Sequence, residues 1–224
     1  MARVDVAIFD AYGTLLDLNS SVRRHAERIG PEWERLNQEW RTKHLEYIWV
    51  RSLAGPAQHR DFAKLTEESL RYVAARHGIE DEALIGDLHK SYNELGAYPD
   101  AAPMLRELRD RTIGLAILSN GTPEMLAQNV RAANLSELLD DLLSVEDVRV
   151  YKPDPRVYRI VVDRYKVAPE RVAFMSSNPW DAFGAACFGF RVFWVNRRGL
   201  PVEYGLDEKA TIITGFAELP DLLT

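Results

Sequence analysis

Short apolar runs rich in Val, Ile and Phe punctuate the chain: Val4 to Phe9, Ile113 to Leu118, Leu142 to Val145, Val172 to Met175, Val192 to Val195 and Thr211 to Ile213. They lack a regular polar alternation, which marks strands covered on both faces, and helical patterns separate them. The pattern predicts an α/β fold with a Rossmann-like, doubly wound and mainly parallel sheet. The exception is the long gap after the first run. From about Leu18 to Ala97 the period is helical, with Trp33, Leu36 and Trp40 in one stripe and Leu45, Ile48 and Trp49 in another. This predicts an inserted all-helical cap over residues 18–97, on an α/β core made of residues 1–17 and 98–224. The segment "GAYPDAAPMLREL" marks the return, with Asp100 expected to N-cap the next helix.

Composition narrows the class. With 224 residues, 46% of them apolar and 28% charged, the chain can bury a substantial core. The N-terminus runs straight into a strand pattern, and no run of about eighteen apolar residues follows, so neither secretion nor membrane spanning is expected. The single cysteine, Cys187, excludes an internal disulfide and a thiolate metal cluster, and fits a reducing cytoplasm; it is expected as a buried, inert thiol. The net charge of -6, with Lys and Arg scattered among acids, argues against a nucleic-acid footprint. The histidines (His25, His44, His59, His77 and His89) show no ligand spacing and receive no role, and the tryptophans read as packing, Trp180 excepted.

In open α/β sheets ligands bind beyond the carboxyl ends of the strands, so the residues that end the runs carry the candidate chemistry. The first run ends at Asp10. A carboxylate there either caps the following turn or, oriented by Thr14 after the flexible Gly13, serves as a nucleophile. The second ends at Ser119-Asn120-Gly121 and the fourth at Ser176-Ser177-Asn178. After the third comes Lys152 in "VYKPDP", where Asp154 is expected to cap a helix starting at Pro155. The Pro-Asp-Pro frame fixes a cation able to neutralise Asp10, and Tyr158 lies one and a half turns on. Asp181 supplies a second carboxylate from a different strand, which suits a nucleophile and a base or orienter. In the cap segment, Arg41 shares a face with Leu45 and Ile48. It reads equally as a snorkelling surface arginine and as a clamp for a small carboxylate.

Together "FDAYGTL", "LSNGT", "YKPDPRVY" and "SSNPWD" resemble the haloacid dehalogenase superfamily, and within it most closely the L-2-haloacid dehalogenases, with the cap segment "EWRTKHLEYIWVRSL" included. The superfamily's phosphatases are similar to one another in carrying Asp-x-Asp at the first strand, where the second acid protonates the leaving group, and further acids that hold magnesium. Tyr12 stands here in place of that second acid, and Ser177-Asn178 where extra metal ligands belong. Halide leaves without a proton, so these departures match the dehalogenase pattern. The alternatives are a divergent magnesium-dependent phosphatase and a catalytically silent binder of small carboxylates.

The resemblance implies that Asp10 attacks C2 of a short (S)-2-haloalkanoic acid and that water then hydrolyses the ester to the (R)-2-hydroxy acid. Asp181 orients or activates that water. Thr14 positions Asp10, and Lys152, Ser176 and Asn178, with Tyr158 beside them, arrange the carboxylates. Arg41 and Asn120 face the departing halide, while Ser119 and backbone donors hold the substrate carboxylate. Ala11, Tyr12, Leu45, Phe62 and Trp180 complete the substrate-binding set. No metal or cofactor is expected; the partners are a 2-haloacid and halide, and the chain is expected to form a homodimer.

Overall fold

Parallel pairing of the apolar runs builds the core in the computed structural model, which describes residues 4–111 and 113–223. The elements are, in chain order, β1 (Val6–Phe9), β2 (Leu16–Asp17), α1 (Asn19–Arg23), α2 (Ala26–Ile29), α3 (Trp33–Leu53), α4 (Phe62–Arg76), α5 (Glu82–Ser91), β3 (Gly96–Ala97), α6 (Ala101–Asp110), β4 (Gly114–Ser119), α7 (Pro123–Ala132), β5 (Asp141–Ser144), α8 (Pro155–Tyr165), β6 (Val172–Ser176), α9 (Pro179–Phe188), β7 (Arg191–Val195), α10 (Leu206–Lys209), β8 (Ala210–Ile213) and α11 (Leu219–Leu222), with short 3-10 turns between some of them. The main sheet has the order β5-β4-β1-β6-β7-β8 and every pairing in it is parallel. Each expected strand is present, the first starting at Val6 rather than Val4.

Strand order explains where chemistry can sit. The chain winds outward from β1 through β4 to β5, then returns to the other side of β1 for β6, β7 and β8. The switch point is therefore β1, whose last residue, Phe9, pairs with Ile117 on one side and Met175 on the other. That register brings Asp10, Ser119 and Ser176 to one edge. β1 and β6 are buried along their whole length, as expected for parallel strands covered by helices.

Between β2 and β3 the chain is helical. These two-residue strands pair antiparallel, Leu16 with Ala97 and Asp17 with Gly96, and so hold the start and end of the helical segment together. The helical period did not foresee β3, because two residues are too short to alternate. α3 buries one continuous stripe, Leu36, Trp40, His44 and Ile48, at four-residue spacing, rather than the two stripes expected. It packs on α4, where Trp40 Nε1 donates to Thr66 O and Ser69 Oγ, both at 3.1 Å. Contacts from this helical segment to the core include His59 Nε2 to Glu146 Oε2 at 3.0 Å and Tyr151 N to Ser52 Oγ at 3.1 Å.

Two further expectations change. Asp100 precedes α6 but makes no capping bond. Its carboxylate is taken instead by the Arg197 guanidinium, at 2.7 and 2.9 Å, and by Phe216 N at 2.9 Å; a bidentate charged pair outcompetes a helix N–H. Cys187 is exposed rather than buried, because α9 buries the stripe through Asp181, Ala182, Gly184 and Ala185 and turns position 187 to solvent. Asp154 does cap α8, accepting from Arg156 N at 2.9 Å.

The close approach of α9 to α8 depends on Gly184. A Cβ there would lie 2.5 Å from the Tyr158 hydroxyl and 2.6 Å from Pro153 Cβ. Gly184→Ala should destabilise the protein by about 1–3 kcal/mol, measured by denaturant unfolding.

Candidate active site

β1 delivers Asp10 into the crevice at the switch point. Its N–H donates to Met175 O at 2.9 Å, and the residue is 5% exposed. Gly13, at φ +85°, lets the chain turn back so that Thr14 Oγ1 donates to Asp10 Oδ2 at 3.0 Å. Asn178 Nδ2 donates to the same oxygen at 2.8 Å, and Lys152 Nζ donates to Oδ1 at 3.0 Å. Three donors from three loops thus hold both oxygens of one carboxylate.

Lys152 is 1% exposed and bridges two acids, since Nζ also donates to Asp181 Oδ2 at 2.9 Å. Burial pulls the ammonium down, but the carboxylates of Asp10 and Asp181 more than reverse this, so it is held above its ordinary value. For Asp181, fully buried, burial outweighs the attraction of Lys152, and the nearby Asp10 charge adds to it; its pKa is pushed up to about 6. Tyr158 donates to Asp181 Oδ1 at 2.9 Å, and burial, then the Asp181 charge, keeps that phenol protonated.

The remaining predicted residues fall around this centre. Asn120 Oδ1 accepts from Lys152 N at 3.0 Å, which places the lysine and leaves the amide Nδ2 as a donor. Ser119 Oγ accepts from Gly121 N at 3.1 Å. Ser176 Oγ accepts from Asn178 N at 3.1 Å and touches neither carboxylate, so it shapes the loop that carries Asn178. Ser177 N donates to Thr14 Oγ1 at 2.9 Å and closes the ring of contacts. Arg41 descends from α3 and donates through Nη2 to Asn178 Oδ1. It is half-buried and lies so near Gly13 that a Cβ there would meet Nη1 at 2.9 Å. Neither a solvated surface arginine nor a bare clamp describes it; it is coupled to Asp10 through one amide.

A cavity of about 550 Å³ lies between the helical segment and the core, with Gly13, Arg41, Asn178, Leu45, Trp180 and Tyr92 among its lining residues. Tyr12 and Phe62 do not line it. They stack on each other at 5.1 Å, and Tyr12 stacks on Tyr92 at 5.5 Å, so they back the wall. The carbonyl of Ala11 accepts from Thr14, Leu15 and Leu16 N. Among the described residues the N–H groups of Ala11 and Tyr12 make no hydrogen bond, and no cluster of His, Cys, Asp and Glu suits a metal ion.

Sequence reasoning missed His44 and Tyr92. His44 continues the Leu36-Trp40 spacing, a signal that was available; burial, then the Arg41 charge, pulls its pKa down to about 3, so it is a neutral member of the aromatic wall. Tyr92 lies just after the end of α5 and extends its buried Leu84-Leu88 spacing by one more step, a signal that was also available.

This constellation can perform nucleophilic displacement by a fixed carboxylate, followed by attack of water assisted by the second carboxylate. Comparison with known proteins is consistent with it. The family described as haloacid dehalogenase-like hydrolase matches residues 4–189. (S)-2-haloacid dehalogenase 1 of Pseudomonas sp. (strain CBS-3) is 44% identical, over 100% of this chain and 98% of its own. A solved dehalogenase structure superposes with a TM-score of 0.96 at 42% identity, covering 100% of this chain and 98% of that one. The L-2-haloacid dehalogenase from Xanthobacter autotrophicus, solved with chloropropionic acid covalently bound, superposes with a TM-score of 0.88 at 35% identity, covering 98% of each chain.

The bridging role of Lys152 is open to titration. A carbon-13 NMR titration should give Asp181 a midpoint near 6, and Lys152→Met, which removes the lowering cation, should move that midpoint upward.

Proposed function

Because the chain belongs to the haloacid dehalogenase-like hydrolase family, we propose that the Asp10 centre hydrolyses (S)-2-haloalkanoic acids to (R)-2-hydroxy acids. The protein is a hydrolase acting on carbon–halide bonds. The observation that carries the residue assignment is the Asp10–Lys152–Asp181 chain, with Tyr12 where a leaving-group acid would stand.

Asp10 attacks C2 from the face opposite the halogen. The C–O bond forms as the carbon–halogen bond breaks, and the electron pair leaves as halide. No proton is needed, so no acid is needed at position 12. Thr14, Asn178 and Lys152 keep the carboxylate oriented for this step. Arg41 and the Asn120 amide receive the halide, while Ser119 and the free N–H groups of Ala11 and Tyr12 hold the substrate carboxylate. Leu45 and Trp180 border the C2 substituent, with Tyr12 and Phe62 behind.

Water then attacks the Asp10 carbonyl carbon, and Asp181 takes its proton. The acyl–oxygen bond breaks, the leaving alkoxide takes the proton held by Asp181, and the second water proton passes to solvent as Asp10 returns to a carboxylate; the hydroxy acid departs with inverted configuration, and one water oxygen stays in Asp10. Tyr158 and Lys152 hold Asp181 for this role. A phosphatase reading is weaker, because Tyr12 offers no acid for a leaving group and Ser177-Asn178 stand where further carboxylates would hold magnesium. A silent binder is weaker as well, because the groups of both steps are assembled within hydrogen-bond reach.

We also propose the division into a core of residues 1–17 and 98–224 and a cap of residues 18–97, supported by the β2–β3 pair at its base. A homodimer fits the exposed Val50 and Leu53 near the end of α3, which are 58% and 88% accessible. A reducing cytoplasm fits the lone thiol.

Purified protein mixed with (S)-2-chloropropionate in EDTA should release chloride and lactate together, and Asp10→Asn should abolish both while the fold survives. Magnesium-dependent phosphate release from phosphate esters, without chloride release, would overturn the reading. Asp181 must be ionised to take the proton from water, and its raised pKa lies near 6. Where hydrolysis of the ester limits turnover, kcat should therefore fall about tenfold per pH unit below a midpoint that lies under that value, because the ester no longer carries the Asp10 charge that helps raise Asp181, and level off above it.

A further inference from the structure

The wall of the cavity beside Arg41 is aromatic, with Trp40, His44 and Tyr92 on its surface and Tyr12 stacked behind. Nearly every polar tip in that wall has an internal partner. Trp40 Nε1 donates to Thr66 O and Ser69 Oγ, His44 Nε2 lies 3.3 Å from Thr66 Oγ1, and the Tyr12 hydroxyl accepts from Asn129 Nδ2 at 3.4 Å. Among these four residues Tyr92 is the exception. Its hydrogen bonds run through its backbone, the N–H to His89 O at 3.3 Å and the carbonyl from Asn129 Nδ2 at 3.2 Å; its hydroxyl has none among the described residues.

Tyr92 is only 8% exposed, yet its hydroxyl is not sealed away among the buried polar atoms that lack a partner, and the cavity it lines is where that access lies. The ring has little freedom to turn elsewhere, being stacked on Tyr12 at 5.5 Å and tilted against Trp40 at 5.2 Å, while the fully buried Asn129 pins the backbone. The phenol is held protonated, chiefly by burial; the Arg41 cation acts against this and the Asp10 charge with it. The hydroxyl is thus an uncommitted donor on the wall of the cavity that Arg41 also lines. A neutral donor there strengthens an anion site without adding a second charge beside Arg41.

We propose that Tyr92 is a substrate-contacting residue whose hydroxyl donates a hydrogen bond to the same anionic group that Arg41 receives. This rests on the 2-haloacid reading above. That group is either the substrate carboxylate or the departing halide, and both are acceptors of the kind a phenol prefers.

Tyr92→Phe deletes the hydroxyl and keeps the ring packing. With (S)-2-chloropropionate and (S)-2-bromopropionate, kcat/KM should fall about tenfold or more, the size expected for a hydrogen bond to a charged group. An equal rise in KM for both substrates assigns the contact to the carboxylate. A loss in kcat that is larger for chloride than for bromide assigns it to the halide. Affinities for sodium propionate and sodium bromide, read by tryptophan fluorescence without turnover, should weaken for the matching anion. Unchanged affinity for both anions overturns the proposal, whether kcat/KM stays within about twofold of the unsubstituted protein or falls through a structural effect. If the unsubstituted protein hydrolyses neither haloacid, the functional reading fails, and the anion affinities still decide the role of Tyr92.

Discussion

One buried ammonium holds the site together. Lys152 lies between Asp10 and Asp181, all three almost wholly removed from water, and its ammonium is the cation that pairs with both carboxylates. Buried ion pairs seldom add net stability, because desolvation cancels most of the attraction, whereas removal of one partner leaves an uncompensated charge. The arrangement therefore makes sense as a device for keeping two carboxylates charged and fixed rather than as a contribution to folding. The surrounding scaffold serves the same end: Asn120 places the lysine backbone, Asp154 starts the helix behind it, and Tyr158 returns from that helix to Asp181.

Asymmetry between the two acids follows from their surroundings. Asp10 receives Thr14, Asn178 and Lys152, and lies directly behind Asn178, which lines the cavity. Asp181 receives Lys152 and Tyr158 in a fully buried position, and its pKa rises to about 6. A strongly solvated or strongly bonded carboxylate is a poor base, while one with a pKa near the working pH can accept a proton and return it. The group that needs only lone pairs is thus the well-bonded one, and the group that needs to exchange a proton is the desolvated one.

Much of this was legible before any coordinates. The strands, their order of appearance, and the polar residues that end them follow from runs of Val, Ile and Phe, and nearly every residue singled out at those ends lies within one or two contacts of Asp10. Residues whose role depends on long-range packing were less legible. Asp100 has the sequence of a helix cap, and only the approach of Arg197, 97 positions on, redirects it. Cys187 sits among small residues, and its exposure depends on which side of α9 meets the sheet. His44 and Tyr92 belong to a wall assembled from β1, α3, α4 and the end of α5, so no local window contains it.

Charge counting ties the cap segment to the core. Asp10 and Asp181 carry two negative charges, Lys152 one positive, and the centre alone is left short by one cation. Arg41 supplies it from α3, through the Asn178 amide that also donates to Asp10, so the four groups together are neutral. An arriving carboxylate then adds one negative charge to a balanced site rather than to a repulsive one, and displacement turns the Asp10 charge into that of the halide without changing the total. Ester formation removes the Asp10 anion from beside Asp181, which eases one of the two influences that raise its pKa. Asp181 is thereby readied, as an ionised base, at the moment the ester needs water.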